Sequence, residues 1–136
     1  MTKYILAYIS TAIVFFPVDL LWLGVIAQKH YQRLLGDMLA INWPAAIVFY
    51  LIYIAGIVVF AVGPALAKQS LGYAALYGAL FGFFCYATYD LTNLATMKGF
   101  PAAIVIPDIL WGVVLTAVSA SGGYLICNAL AKLFSN

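Results

Sequence analysis

Long apolar runs separated by short polar stretches are the main pattern along this chain. Each of four runs reaches the roughly 20 residues that a helix needs to cross ~30 Å of hydrocarbon. They lie at residues 4–27, 44–67, 71–97 and 102–131. Because backbone polar groups in lipid must be satisfied within their own segment, the pattern predicts helices. We therefore expect an all-α, integral membrane four-transmembrane-helix bundle that forms a single domain over residues 1–136.

The composition fits a membrane protein and excludes a nucleic-acid partner. Hydrophobic residues make up 67% of the chain and charged residues 7%, whereas soluble domains are about 45–50% apolar. The net charge is only +2, and the basic residues are scattered, so there is no basic patch of the kind that nucleic acid requires. Cys85 and Cys127 lie inside apolar runs, which predicts buried free thiols. Membrane lipid is the expected surrounding partner.

The polar stretch at residues 28–42 is predicted to form a short helix in the membrane interface. Its apolar residues recur at helical spacing on one face, with charged residues on the other. The apolar set is Leu34, Leu35, Met38 and Leu39, and the charged set is Lys29, Arg33 and Asp37. The later connections are tight turns at residues 68–70 and 98–101. The last two spans should therefore form a close antiparallel hairpin.

The orientation in the membrane is not decided by charge. Four spans place both termini on one side, and the two faces then carry three basic residues each. These are Lys3, Lys68 and Lys132 on the terminal face, and Lys29, Arg33 and Lys98 on the opposite face. The positive-inside rule does not choose between equal counts. We expect cytoplasmic termini in a bacterial inner membrane, and insertion in both orientations remains open.

Three of the four acidic residues lie inside apolar runs. At 1.5 Å of rise per residue, Asp19 is ~12 Å from the end of its span, and Asp90 and Asp108 are ~9–11 Å from the ends of theirs. All three distances are measured from the same membrane face. An aspartate near the centre of a membrane helix costs ~2.5–3.5 kcal/mol, so such residues usually face the bundle interior and mark function. The sequence thus predicts one layer of buried acids.

Each of these acids has polar or aromatic neighbours at helical spacing. The tryptophans Trp22 and Trp111 follow two of the acids by three residues and are candidate walls of a site. Neutral oxygens are expected from Asn93, Thr92 and Thr96, and phenols in the same layer from Tyr50, Tyr53 and Tyr89. Gly78 and Gly82 are spaced to let a neighbouring helix approach closely, which predicts that this face of the third span is packed.

Three short segments carry a resemblance to a known family. "DLLWLG", "YDLTNLATMKG" and "DILWG" together resemble a group of small four-helix bacterial membrane proteins known only as a domain of unknown function. The resemblance covers nearly the whole chain and implies a multi-pass protein of the bacterial inner membrane. It implies no activity, substrate or cofactor. The marker segments contain Asp19, Trp22, Asp90, Thr92, Asn93, Thr96, Asp108 and Trp111.

These observations favour a small carrier or channel that binds a proton, a cation or a small solute. Three anions together in a low dielectric repel one another, so shared protons or a cation held by Asp19, Asp90 and Asp108 would relieve them. Asp90 is the predicted centre of the site, no dedicated cofactor is expected, and a homodimer would complete a conduction path. The alternatives are a lipid-acting enzyme with aspartate acid–base or Mg²⁺ chemistry, an accessory subunit of a membrane complex, and acids that only hold helices together.

Overall fold

The computed structural model describes residues 2–36 and 42–135, and all regular structure within these ranges is helical. The α-helices are α1 (Thr2–Leu21), α2 (Gln28–Leu35), α3 (Trp43–Ile57), α4 (Gly63–Lys68), α5 (Leu71–Thr96) and α6 (Val105–Ser135). Single π-helical turns follow α1, at Trp22–Ile26, and α3, at Val58–Val62, and a 3₁₀ turn at Ala102–Ile104 precedes α6. The predicted all-α class is confirmed.

Four stretches are long and apolar enough to cross a membrane. They are Thr2–Val25, Trp43–Lys68, Leu71–Thr96 and Ala102–Phe134, called below the first to fourth spans. The predicted count of four is therefore confirmed. The largest difference in bounds is in the fourth span, which runs to Phe134 where the sequence pattern ended at residue 131. A helix can continue beyond the length that the hydrocarbon requires, and hydropathy does not mark where it ends.

The second span runs as one rod through Pro64, which lacks the N–H that a regular helix would need. The π-turn Val58–Val62 lies directly before it, and Pro64 then occupies the first turn of α4. The span ends at Gln69, whose φ of 51° is left-handed, and the Ser70 hydroxyl accepts a 3.0 Å bond from the Tyr73 amide to begin α5. Spans two and three are thus joined by a very short turn at the terminal face.

Helix α6 is the centre of the bundle, with α5 on one side and α1 on the other. Small residues permit both approaches. A Cβ on Gly78 would lie 2.8 Å from both the Ala120 side chain and the Thr116 carbonyl oxygen, and one on Gly122 would lie 2.7 Å from Val14. The predicted packed face of α5 and the α5–α6 hairpin are both confirmed.

The second span is attached less evenly. Helix α5 touches it chiefly through the π-turn Val58–Val62 and α4, whereas α3 packs mainly on α1. Helices α3 and α5 therefore separate toward the end of the bundle where α1 ends and α6 begins, called here the linker face. This separation leaves side chains of α6 reachable between them.

Candidate functional site

Asp19 is buried near the linker end of α1 and is fully engaged by hydrogen bonds. Its side chain is 6% exposed. Its Oδ2 accepts a 2.8 Å bond from the Tyr50 hydroxyl, and its Oδ1 accepts a 3.3 Å bond from Nε1 of Trp111. A carboxylate with two such donors is compensated within the membrane. Asp19 thus ties the second and fourth spans to the first.

The two tryptophans lie face to face beside this acid. The rings of Trp22 and Trp111 are stacked with centroids 4.4 Å apart and planes inclined by 6°. Trp22 is the first residue of the π-turn that follows α1, and π-turns inside helices frequently mark functional positions. The stacked pair therefore joins the linker end of α1 to α6 beside Asp19.

Asp108 receives its donor from outside the four spans. The Tyr31 hydroxyl, carried by α2, donates to Oδ1 of Asp108 at 2.6 Å, and Nε1 of Trp22 donates to the Tyr31 oxygen at 3.2 Å. Burial, and then the bond to Asp108, raise the pKa of Tyr31 well above its ordinary value, so the phenol stays protonated at neutral pH. Asp108 also lies in the first turn of α6, where the helix dipole favours a negative charge.

Asp90 is the acid without a donor. It is 1% exposed, and neither of its carboxyl oxygens has a hydrogen-bond partner among the described residues. The side chain that acts on Asp90 is the carboxyl of Asp108, which can only accept hydrogen bonds unless one of the two is protonated. Asp19 lies close enough to Asp108 to act on its charge. The three acids therefore form one cluster, with two, one and no donors in the order Asp19, Asp108, Asp90.

A pocket of about 350 Å³ opens onto this cluster between α3 and α5. Its lining residues are Phe49, Cys85, Tyr86, Tyr89 and Asp108. We call it the acidic groove. Tyr89 thus lies beside Asp108 in the groove lining, with Asn93 next to it on α5. Two of its lining residues, Phe49 on α3 and Tyr89 on α5, are 47% and 59% exposed, so the groove opens at the side of the bundle between these helices.

The structure does not bring every predicted residue to the acids. Thr92 and Thr96 are exposed, and their hydroxyls donate to carbonyls one turn back in α5, including Thr88 and Thr92. Tyr53 is buried, but its hydroxyl pairs with Thr116 at 2.7 Å instead of with a carboxyl. Thr92 is two residues from Asp90 and therefore faces nearly the opposite side of α5 at 3.6 residues per turn, and a hydroxyl can always bond its own backbone.

The acids are not arranged as a multidentate metal centre. Over residues 2–36 and 42–135, no group of three or more His, Cys, Asp or Glu side chains is placed to hold a metal ion. Within the same residues, none of the groups that act on Asp19 or Asp90 is a lysine or an arginine.

Tyr31 is the site residue that the sequence pattern did not indicate. The linker was predicted to lie in the interface, and Lys29 and Arg33 are exposed as expected, but α2 also turns Tyr31 inward. Tyr31, Leu34 and Leu35 share the half-buried face of α2, so the aromatic position on that face was the available signal. The predicted linker positions Asp37, Met38 and Leu39 lie outside the described residues.

Four apolar spans around three clustered acids, of which Asp19 and Asp90 are buried and Asp108 is half-buried, define a small multi-pass membrane protein. The sequence matches the family described as "Predicted membrane protein (DUF2177)" over residues 4–125. The chain belongs to this family, whose function is unknown, and the predicted resemblance to a domain of unknown function is confirmed. Comparisons with curated proteins and with solved structures find no match.

Proposed function

We propose that this protein is a small carrier of the bacterial inner membrane that exchanges a proton for a small solute at the Asp90–Asp108 pair. The observation that carries this proposal is Asp90, which is 1% exposed with both oxygens unpartnered beside the Asp108 carboxyl. A buried carboxylate with no donor is strongly unfavourable. Asp90 is therefore stable only while a proton or a positively charged solute neutralises its carboxylate. A coupled carrier requires such a group, because one species must replace the other.

One proton between the two carboxyls satisfies both of them. If Asp90 is protonated, its O–H donates to Asp108, while Asp108 keeps the hydrogen bond from Tyr31 and the favourable end of α6. The donors thus favour the charge on Asp108 and the proton on Asp90. Paired carboxyls in one site characteristically hold a single proton between them. A positively charged solute at Asp108 would replace that proton, which couples the two species.

The surroundings of Asp19 give it a different part in this carrier. Its two donors compensate its charge without a proton, and they fasten α3 and α6 to α1. We assign to Asp19 the role of holding the stacked Trp22 and Trp111 rings in place. We assign the exchange of the proton for the solute to Asp90 and Asp108. On this proposal the termini are cytoplasmic, and a homodimer supplies the second half of the path across the bilayer.

The test is to look for the shared proton directly. Infrared spectra of the purified protein in lipid should show the carbonyl band of a protonated carboxylic acid. The band should be absent in Asp90→Asn and should disappear from the wild-type spectrum when high pH deprotonates the acid. Asp37→Asn, in the polar linker, is the matched control and should keep the band. Thermal melting of the same proteins across pH should depend on pH in the wild type and lose that dependence in Asp90→Asn.

Either of two results would overturn the proposal. The first is a wild-type spectrum without a protonated carboxyl at any pH between about 5 and 9, the range that surrounds physiological conditions. The second is identical melting of the wild type and Asp90→Asn under every condition, which would make the acids structural and bring the accessory-subunit alternative forward.

The sideways opening of the acidic groove favours one second candidate, a membrane-embedded enzyme acting on lipid. A lipid could reach Asp108 between α3 and α5 without leaving the bilayer, and the acid pair could then act as general acid and base. This candidate predicts that incubation with radiolabelled membrane lipid yields a product, and that Asp108→Asn abolishes it. The carrier predicts no chemical change in any lipid.

A further inference from the structure

We propose that the solute is a lipophilic organic monocation that reaches the acidic groove sideways from the bilayer. This inference rests on the proposed function, since it names the species that exchanges with the shared proton. It follows from three features of the groove: its position between two spans, the chemistry of its walls and the charge at its floor.

The position of the groove favours access from the bilayer. Phe49 on α3 and Tyr89 on α5 line the groove on opposite sides, and each is about half exposed at the side of the bundle. Helices α3 and α5 separate here, while the π-turn Val58–Val62 keeps the spans together further toward the terminal face. A solute that is already dissolved in the membrane would meet this opening directly.

The walls suit an apolar body with a positive charge. Three of the five lining residues are the aromatic side chains Phe49, Tyr86 and Tyr89, and the floor is the Asp108 carboxyl. Aromatic faces attract cations most strongly when water is excluded. None of the described lining residues is basic, so an anion would find no counter-charge. The volume of about 350 Å³ lies at the small end of the range for ligand pockets, roughly 300–1,000 Å³.

The charge at the floor sets the valence. With one proton on the pair, Asp90 and Asp108 together carry one negative charge, and Asp19 is already compensated by Tyr50 and Trp111. If a solute with one positive charge replaces that proton, the net charge of the two acids and their ligand stays the same. A hydrated divalent metal ion would need several oxygen ligands, and no such group of side chains is found within residues 2–36 and 42–135. An organic cation with an aromatic or alkyl body needs only one carboxylate and the ring faces.

The test uses benzyltrimethylammonium, a permanent monocation, beside neopentylbenzene, in which carbon replaces nitrogen and the shape is kept. Binding to the protein in nanodiscs is measured by tryptophan fluorescence and by calorimetry. The cation should bind and the neutral isostere should not. Its affinity should increase with pH while the pair is protonated, and protons should appear in weakly buffered solution as it binds.

Three variants separate the parts of the groove. Asp108→Asn should weaken cation binding at least about 10-fold, because the half-buried groove loses its only described charged partner for the cation. Tyr89→Leu keeps an apolar side chain at an exposed position and should fold normally, and the loss of one ring face should weaken binding about 2- to 30-fold. Tyr77→Leu, also on α5 but away from the acidic groove, is the matched control and should bind like the wild type.

The outcomes distinguish this inference from the proposed function. A protonated-carboxyl band that disappears as the cation binds supports both. A band that titrates with pH, together with equal or absent binding of the cation and its isostere, overturns the monocation inference and leaves proton exchange standing. Absence of the band at every pH overturns the proposed function, and cation binding would then have to be explained without a proton.

Discussion

Two grooves of similar size lie between the second and third spans, and only one of them ends at a charge. The acidic groove occupies about 350 Å³ beside Asp108. The second groove, nearer the terminal face, occupies about 370 Å³, and we call it the apolar groove. Its walls are Val59, Phe60, Pro64, Tyr73, Tyr77, Leu80, Phe81 and Phe84. Both grooves are rich in aromatic rings, so aromatic content does not distinguish them.

The difference is what stands behind each groove. At the apolar groove the π-turn Val58–Val62 meets α5, and the Phe60 and Phe81 rings stack across that contact with centroids 5.5 Å apart. At the acidic groove α3 stands away from α5, and the first turn of α6 fills the gap with a carboxyl. The apolar groove can be filled by a lipid tail as well as by any other apolar molecule. The acidic groove offers a charge that a lipid tail cannot neutralise, and this charge is typical of a binding site.

The largest expected effect comes from a substitution that forces α5 away from α6. Such a change would separate the acidic groove from the Asp108 carboxyl that distinguishes it from the apolar groove. In Gly82→Val the new side chain would collide with the Gly112 carbonyl and lie 2.6 Å from the Thr116 hydroxyl. Overpacking typically costs about 1–3 kcal/mol, and collision with backbone costs more. We expect little folded protein by size-exclusion chromatography. Gly72→Ala on the same helix, with its nearest atom at 3.8 Å, should behave as wild type, and equal yields of both variants would contradict the packing described here.

A carboxyl placed in the apolar groove tests whether charge alone creates a site. Leu80→Asp puts an acid in that groove, whose described lining residues include no second carboxyl. We expect a loss of about 2.5–3.5 kcal/mol in stability and, in an Asp108→Asn background, cation binding weaker than that of the wild type. Calorimetry with benzyltrimethylammonium measures it. Binding as tight as wild type would show that Asp90 and Tyr31 contribute nothing.

Removing one donor from Asp19 should cost less than either change above. In Tyr50→Phe the carboxylate keeps only the bond from Trp111, and a lost bond to a buried charged group costs about 1.5–3 kcal/mol. Tyr77→Phe removes a phenol from the apolar groove and should stay within about 0.5 kcal/mol of wild type. Thermal melting in one detergent measures both. A Tyr50→Phe melt that matches Tyr77→Phe would mean that Asp19 is not held by Tyr50.

The sequence was sufficient for the parts of the fold that hydrophobicity and residue size dictate. Four apolar runs predict four spans, and the spacing of Gly78 and Gly82 predicts the face of α5 that meets α6. The nearness of Asp19, Asp90 and Asp108 to one another follows from counting residues at a fixed rise. Each of these inferences depends only on local geometry and on the cost of polar groups in lipid.

Other features depend on long-range geometry that the sequence pattern does not contain. The bond from Tyr31 to Asp108 spans 77 positions and requires α2 to fold back against the bundle. The separation of α3 from α5 has no local signal, because it arises from where the π-turn Val58–Val62 makes contact.

The smallest effect concerns Tyr31, which serves the acidic groove and has no counterpart in the apolar one. Because burial and the bond to Asp108 raise the pKa of Tyr31, the phenol ionises at lower pH in the unfolded chain than in the folded protein. Its contribution to stability is therefore complete below the ordinary tyrosine pKa of about 10 and is lost as pH rises further. Wild type should exceed Tyr31→Phe by about 1 kcal/mol near neutral pH. This difference in stability between wild type and Tyr31→Phe should disappear above about pH 10. Thermal melting of both proteins at matched pH measures it. All other tyrosines are common to both proteins and cancel, so a gap that persists unchanged at high pH would mean that the Tyr31 phenol is not held against Asp108.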